Sequence, residues 1–495
     1  MKDRRLLVFL LLPLPLAAAA EWNVATGGSP GRAGFCDVTG PDDDGLLWQG
    51  GASAVISWQP VISGETMFTA RCFDISDVLH GTFIYAYDIH DGTLHWTADL
   101  PVDFPATDWR NHLSAARDTV VYASRAGNTN SSYLYALSAF DGSRIWRSED
   151  LVDESSTEGL SFAPDGDPVV GCFGSIIRVE SSDGTTVWQV PRNSPTSGGS
   201  EVAVYGDRVY GWTAGASGPT IRAFDLDDGA FLYESPPLGG GYVQQAAPFA
   251  GPDGTVYAPR SQNNATTDYL FALEDSGTGL SITWQAELGY VPFASFAVGQ
   301  DGSVYCYGRE GQVLRIDPST GQVTGSSQDV GAGIGTRMAA DAAGRLYVSS
   351  GSTLYAFDAA LNLLWSDQVG GIDGPALACD GTMLVCGTGT EVRAYEAGSS
   401  GTGGGAEAST ARGLSLLENP VTGTARFLMD IQGQEEAAIG IYGPDGRMAA
   451  MTVLPAPVAG IVEFDVSGLP DGSYTAVIFS GGEPRGSAGF VLLGP

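Results

Sequence analysis

The sequence predicts an all-β chain: an eight-bladed β-propeller of four-stranded blades closed by an N-terminal strand, followed by a small Ig-like β-sandwich. Three observations predict it. A strand–turn–strand element recurs eight times, a second hairpin precedes each copy, and the outer strand that the last copy lacks stands unpartnered at the front.

The element reads Tyr85-Ala86-Tyr87-Asp88, then Asp91-Gly92, then Trp96. It returns as Tyr135-Ala136-Leu137, Asp141-Gly142 and Trp146, and as Ile177 to Val179, Asp183-Gly184 and Trp188. Weaker copies run from Arg222-Ala223-Phe224-Asp225 through Asp228-Gly229 to Tyr233, and from Phe271-Ala272-Leu273 to Trp284. Leu314-Arg315-Ile316-Asp317 with Thr320-Gly321 lacks its Trp, and Tyr355-Ala356-Phe357-Asp358 ends in Trp365. Arg393-Ala394-Tyr395-Glu396 closes the series. The alternating apolar run is a strand, the Asp-Gly a tight turn with positive φ, and the Trp a core residue between neighbouring sheets.

The preceding hairpins turn at Gly64-Glu65, Arg117-Asp118, Asp165-Gly166, Gly206-Asp207, Asp253-Gly254, Asp301-Gly302, Ala343-Gly344 and Asp380-Gly381. Two hairpins make four strands per unit, at a spacing of about 41 to 50 residues, the period of a propeller blade. Separate hairpins would leave edges exposed, whereas radial closure protects them. The last unit stops after Tyr395, and Asp44-Gly45-Leu46-Leu47-Trp48 supplies the missing outer strand. Pairing the two ends completes the eighth blade.

Composition bounds the partners. Hydrophobic residues make up 43% and charged residues 16%, a globular balance. Lys and Arg total 24 against 57 Asp and Glu, a net charge of −33. Such a field repels phosphates and anionic lipid, so neither nucleic acid nor a membrane surface is an expected partner. The start reads as a secretory leader: Lys2, Arg4 and Arg5, an apolar stretch from Leu6 to Leu16, and Ala18-Ala19-Ala20 before Glu21. No later stretch reaches the ~20 apolar residues that a membrane span needs. Cysteines 36, 72, 172, 306, 379 and 386 form no CxxC and no adjacent pair. That argues against a thiolate metal site or a redox dithiol, and fifteen full disulfide pairings stay open beside buried thiols.

Pro60-Val61-Ile62-Ser63-Gly64 with Met67-Phe68, finished by Tyr85 to Trp96, resembles the repeat of the pyrroloquinoline-quinone (PQQ) family. The likeness covers about residues 44 to 396. It implies the propeller fold and leaves two functional groups: quinone dehydrogenases, and ligand-free propellers such as the outer-membrane assembly lipoprotein. The dehydrogenases need a vicinal Cys-Cys, calcium-binding Glu, Asn and Asp residues and often CxxCH; adjacent cysteines and CxxCH are missing here. No quinone is therefore expected, and calcium at Asp-rich turns is the open alternative.

Other constellations read as structure. Ser182-Asp183-Gly184-Thr185 misses the sialidase Asp-box by one position, Asp225, Asp227 and Asp228 miss calcium-loop spacing, and Asp42-Asp43-Asp44 leads into a strand. His80, His90, His95 and His112, the only histidines, show no helical ligand spacing. No catalytic, cofactor-binding or metal-ligating residue is assigned.

Residues 397–412 form a Gly/Ser-rich linker. Beyond it, Leu416 to Pro420, Ile439 to Arg447 and Phe464 to Tyr474 read as strands and turns of a seven-stranded sandwich over residues 413–495. Asn419-Pro420, Tyr442-Gly443-Pro444-Asp445-Gly446-Arg447 and Leu469-Pro470-Asp471-Gly472-Ser473-Tyr474 are similar to the type A sorting domain of the type IX secretion system. The flagellar hook-cap Ig-like module shares much of this pattern, and an ordinary Ig-like appendage is the plain alternative.

The expected protein is a monomer, secreted or held at the cell surface after export through the periplasm, with residues 413–495 engaging the secretion machinery. It is a non-catalytic propeller that presents loops to a protein or glycan partner. The competing expectation is an enzyme, a degenerate quinoprotein oxidoreductase or another propeller enzyme with its site in the central funnel.

Overall fold

The computed structural model of the chain describes residues 22–397 except 26, 105–109, 126–131, 153–159, 195–200, 216, 240–246, 261–268, 289–295 and 334. Further along it describes 415–416, 423–431, 437–442, 448–454, 458–470, 472–480 and 483–492. The expected leader at 1–20, the expected linker's positions 398–412 and positions 417–420, 443–447 and 471 of the tail motifs lie outside the described residues. Two compact units divide the chain, Met1–Ser400 and Gly401–Pro495.

The first unit is an eight-bladed propeller of antiparallel sheets. Blade 1 runs through Val61–Ser63, Thr66–Cys72, Thr82–Asp88 and Leu94–Ala98. Its inner strand is broken: Ile56–Ser57 also pairs with the end of Thr66–Cys72, and Pro60, which has no N–H, lies in the break. Blade 2 runs from His112–Arg117 to Arg144–Val152, blade 3 from Ser161–Phe162 to Thr186–Pro191, and blade 4 from Ala203–Tyr205 to Phe231–Glu234. Blade 5 runs from Phe249–Ala250 to Leu280–Glu287, blade 6 from Ala297–Val298 to Val323–Asp329, and blade 7 from Arg337–Ala340 to Leu363–Gln368. Blade 8 takes Ile372–Leu377, Met383–Gly387 and Val392–Tyr395 from the end of the propeller and Leu46–Gly50 from its start. Trp48 pairs with Ala394, so the ring closes as the two chain ends predict.

Each seam between blades repeats one device. The outer-strand Trp lies against the turn of the next blade and donates its indole N–H to a turn carbonyl. Trp48 reaches Ile89 at 2.8 Å, Trp96 Ala139 at 2.8 Å, Trp146 Ser181 at 2.9 Å, Trp188 Leu226 at 2.9 Å and Trp284 Pro318 at 2.7 Å. The glycine three residues beyond each acceptor faces the ring. A Cβ on Gly92 would stand 2.5 Å from Trp48, and one on Gly321 2.5 Å from Trp284. Turn glycine therefore serves two ends, a left-handed backbone (φ 73 at Gly92) and a floor for the indole.

Three seams depart from it, each with a visible compensation or cause. In blade 4 Tyr233 replaces Trp and donates its hydroxyl to Asp275 of blade 5 at 2.6 Å. Blade 6 has Gly325 where the Trp belongs. There the large residue comes from the opposite side: Leu361, in the turn of blade 7, is buried with φ 66, and its Cδ1 lies 4.0 Å from where a Cβ on Gly325 would be. Bulky and small residue have exchanged sides. Trp365 of blade 7 faces blade 8, whose chain leaves after Tyr395 instead of turning, and its buried indole N–H finds no acceptor among the described residues.

The second unit has two sheets, one of Ser415–Leu416, Thr424–Ile431 and Val458–Asp465, the other of Ala437–Tyr442, Met448–Leu454, Gly472–Ser480 and Glu483–Leu492. Ala425 and Phe464 of the first share one apolar core with Ile439, Ile441 and Leu492 of the second. Tyr474 donates its hydroxyl to the Pro470 carbonyl at 2.8 Å, which pins the Leu469-Pro470 turn.

Two stability measurements check the seams. Trp96→Phe, which orphans the Ala139 carbonyl, should cost about 1 kcal/mol more than Trp365→Phe in urea unfolding of the propeller; equal losses would refute the role of the indole bond. Gly325→Trp and Leu361→Gly should each cost about 2 kcal/mol or more, and the double variant should recover part of it. Plain additivity would show that the two positions do not share one space.

Candidate functional site

Inner strands surround the propeller axis, where loops and side chains from every blade can meet. At one end of this axis the chain fills the space itself. Residues 22–41 follow the inner strands around the ring and bond to them blade by blade. The Trp22 carbonyl accepts from Ile62 N–H of blade 1 at 2.8 Å, and the Asn23 carbonyl from Ala116 of blade 2 at 2.9 Å. The Pro30 carbonyl accepts from the Ser161 hydroxyl of blade 3 at 2.5 Å and from Val204 N–H of blade 4 at 2.9 Å. Gly31 takes Ala250 of blade 5 at 2.7 Å, Ala33 takes Val298 of blade 6 at 2.8 Å, and Gly34 takes Ala340 of blade 7 at 2.7 Å. At blade 8 the Cys36 Sγ lies 3.9 Å from the Leu377 carbonyl. The segment leaves beside blade 7, where Tyr347 donates to the Pro41 carbonyl at 2.6 Å.

Small residues make this approach feasible on both sides. Ala116, Ala203, Ala250, Ala297 and Ala340 lie in the inner strands, all buried. On the segment, a Cβ on Gly34 (φ +63) would meet the Phe296 carbonyl at 2.3 Å, and one on Gly28 the Trp22 ring at 2.6 Å. Trp22 is fully buried. Sequence reading missed this segment because Gly27-Gly28-Ser29-Pro30-Gly31 carries no alternation. The available signal was an Ala near the end of most inner strands.

The opposite end of the barrel of strands collects arginines. Arg71, Arg125 and Arg260 end or follow second strands, Arg110 and Arg337 precede or open inner strands, and Arg192 follows an outer strand; in an antiparallel blade these positions share one face. All six are buried. Arg71 directs its donors to the Ser57 hydroxyl and to the carbonyls of Ala52, Gly387 and Gly389, crossing from blade 1 to blade 8. Arg125 of blade 2 reaches back to the Leu79 and Leu100 carbonyls, each at 2.7 Å, and pairs with Asp99. Arg337 of blade 7 lies 3.5 Å from Asp373 of blade 8. Burial pushes the guanidinium pKa of Arg110 and of Arg192 down to about 10.

The histidines do not gather. His80 is exposed beside Asp77, and His95 lies 3.8 Å from Asp88. His90 sits across the closing seam between Glu65 of blade 1 and Asp380 of blade 8, at 3.8 and 3.6 Å, while His112 is buried at the start of blade 2. Among the described residues, no His, Cys, Asp and Glu group has metal-binding geometry. The turn aspartates cap their own turns: Asp183 accepts from Thr185 N–H, Asp253 from Thr255 and Asp301 from Ser303, each at 3.0 Å. Hydrogen bonds from Thr185 to Asp183, and from Ser143 to Asp141, hold both carboxyls below the usual range. Arg71 and Arg125 are engaged by the chain's own groups, and residues 22–41 occupy the hairpin end of the axis.

Known proteins agree with this architecture. The family described as outer membrane protein assembly factor BamB (PQQ_2) matches residues 37–151, 130–268 and 272–434. Quinohemoprotein alcohol dehydrogenase from Comamonas testosteroni is 13% identical, with a TM-score of 0.53 over 77% of this chain and 81% of that one. Quinohemoprotein alcohol dehydrogenase ADHIIG from Pseudomonas putida HK5 is also 13% identical, with a TM-score of 0.52 over 81% and 84%. BamB from Moraxella catarrhalis is 17% identical, with a TM-score of 0.48 over 71% and 95%. No curated protein matches in sequence. At these identities the structural likeness speaks for fold alone. The repeat match spans most of the chain, which therefore belongs to the PQQ-like repeat family described as outer membrane protein assembly factor BamB.

Proposed function

We propose that this protein is an exported, non-catalytic β-propeller that binds a protein or glycan partner. One observation carries the reading: the hairpin end of the axis is filled by the chain's own residues 22–41, whose carbonyls take up inner-strand N–H groups of six blades. Binding is then left to the loops of the opposite face and to the outer surface. The matched family's description, an assembly factor, favours a protein partner. Residues 413–495 act as an Ig-like sorting module that hands the propeller to the export machinery. The seven strands and the pinned Leu469-Pro470 turn support this role. The acidic surface keeps the released protein soluble and monomeric.

Hydrogen exchange tests the filled axis. The amides of Ile62, Ala116, Val204, Ala250, Val298 and Ala340 should be as protected as those inside the sheets, and exchange at open-loop rates would unseat the segment. Function is tested by a pull-down from the outer surface of the source cell together with a glycan array. A saturable partner supports the reading; dye reduction by the purified protein with added quinone, calcium and an alcohol or sugar would replace it with an oxidoreductase. Removing residues 413–495 should leave the propeller inside the cell, and unchanged export would refute the sorting role.

A further inference from the structure

Two cysteines from opposite ends of the propeller sequence belong to segments that meet at the closing blade. Cys36 belongs to the segment that fills the axis. Cys379 belongs to the hairpin of blade 8, where Ala378 N–H donates to Thr382 at 2.8 Å and Gly381 N–H to Ala378 at 2.9 Å. The segment brackets this hairpin. Cys36 Sγ lies 3.9 Å from the Leu377 carbonyl, two residues before Cys379. The Thr39 carbonyl presses on Gly381, two residues after it, so that a Cβ there would stand 2.1 Å from the oxygen. Cys36 is buried in one apolar cluster with Leu377 and Ala378, whereas Cys379 is exposed.

We propose that Cys36 and Cys379 form a disulfide that fastens the axial segment to blade 8. The inference rests on the exported setting proposed above, where thiols meet an oxidant. That oxidant is itself a disulfide, small-molecule or protein. The exposed Cys379 thiolate attacks it, forms a mixed disulfide and expels one thiolate. Cys36, as thiolate, then attacks the Cys379 sulfur and expels the second. Two protein thiols are oxidised to one disulfide, one external disulfide is reduced to two thiols, and both protons pass to the leaving groups. Closure is the slow step. Burial, then the charges of Asp37 and Cys379, push the Cys36 thiol up to about 12. Such a cross-link would close nearly the whole propeller into one loop, the case in which a disulfide restricts the unfolded chain most.

The test uses the full chain purified in reductant, transferred to oxidised glutathione, alkylated and digested without reduction. The expected product joins the Cys36 and Cys379 peptides with loss of two hydrogens, so that two of the six thiols disappear from a denatured thiol count. Its rate should rise about tenfold per pH unit while Cys36 remains mostly protonated. Cys379→Ser, at an exposed position that leaves folding intact, should abolish the link and keep Cys36 a thiol. Glutathione on Cys379 with Cys36 still a thiol, or Cys36 joined to any other cysteine, overturns the pairing. Protein trapped by alkylation directly from producing cells separates the two claims. Linkage there supports both, whereas thiols there, with linkage in the purified protein, keep the pairing and reject the exported setting.

Discussion

Everything in the propeller depends on the antiparallel pairing of Leu46–Gly50 with Val392–Tyr395. Without it, Val392–Tyr395 would present a row of unpaired N–H and C=O groups, and a ring of sheets would have two open edges. The same short strand does a second thing. It carries Trp48, whose indole rests on Gly92 and donates to Ile89, so one pairing completes the last sheet and docks it on the first. Arg71 crosses that seam again, from blade 1 to the Gly387 and Gly389 carbonyls of blade 8. His90, between Glu65 and Asp380, crosses it on the hairpin face. The closing seam is thus held at both faces and through the middle.

The charge distribution follows from this architecture. A chain with net charge −33 carries acids in solvent-facing turns, where Asp183, Asp253 and Asp301 each hold their own backbone. Several of its scarce cations lie inside. A buried guanidinium is tolerated only when its donors find acceptors, and a planar fork reaches several carbonyls at once as an ammonium cannot. Arg71 shows the principle most fully, with every described partner on a neighbouring strand, loop or blade. At Arg110 and Arg192 the cost of burial appears as a depressed pKa.

Closure of the axis by residues 22–41 separates this molecule from a general propeller with an open funnel. Each inner strand would otherwise leave backbone groups pointing at the axis. Here they are answered by carbonyls of Trp22, Asn23, Pro30, Gly31, Ala33 and Gly34, in the order of the blades. Such a plug must be thin, and that explains both the glycines of the segment and the alanines opposite them.

Blade count, ring closure, strand order and the place of each turn were legible in the residues alone. They rest on local rules: alternation makes a strand, Asp-Gly makes a turn, and eight copies, the last with its outer strand displaced to the front, admit one closed arrangement. The seam that lacks its Trp was legible as a gap, but its remedy was not. That Leu361 fills the space beside Gly325 depends on two blades meeting, a relation between residues far apart in the chain. The candidate site was hidden for the same reason. Residues 22–41 carry a local turn, in which Gly28 N–H donates to the Val24 carbonyl, but their course is set by inner strands that exist as a ring only after the chain has folded.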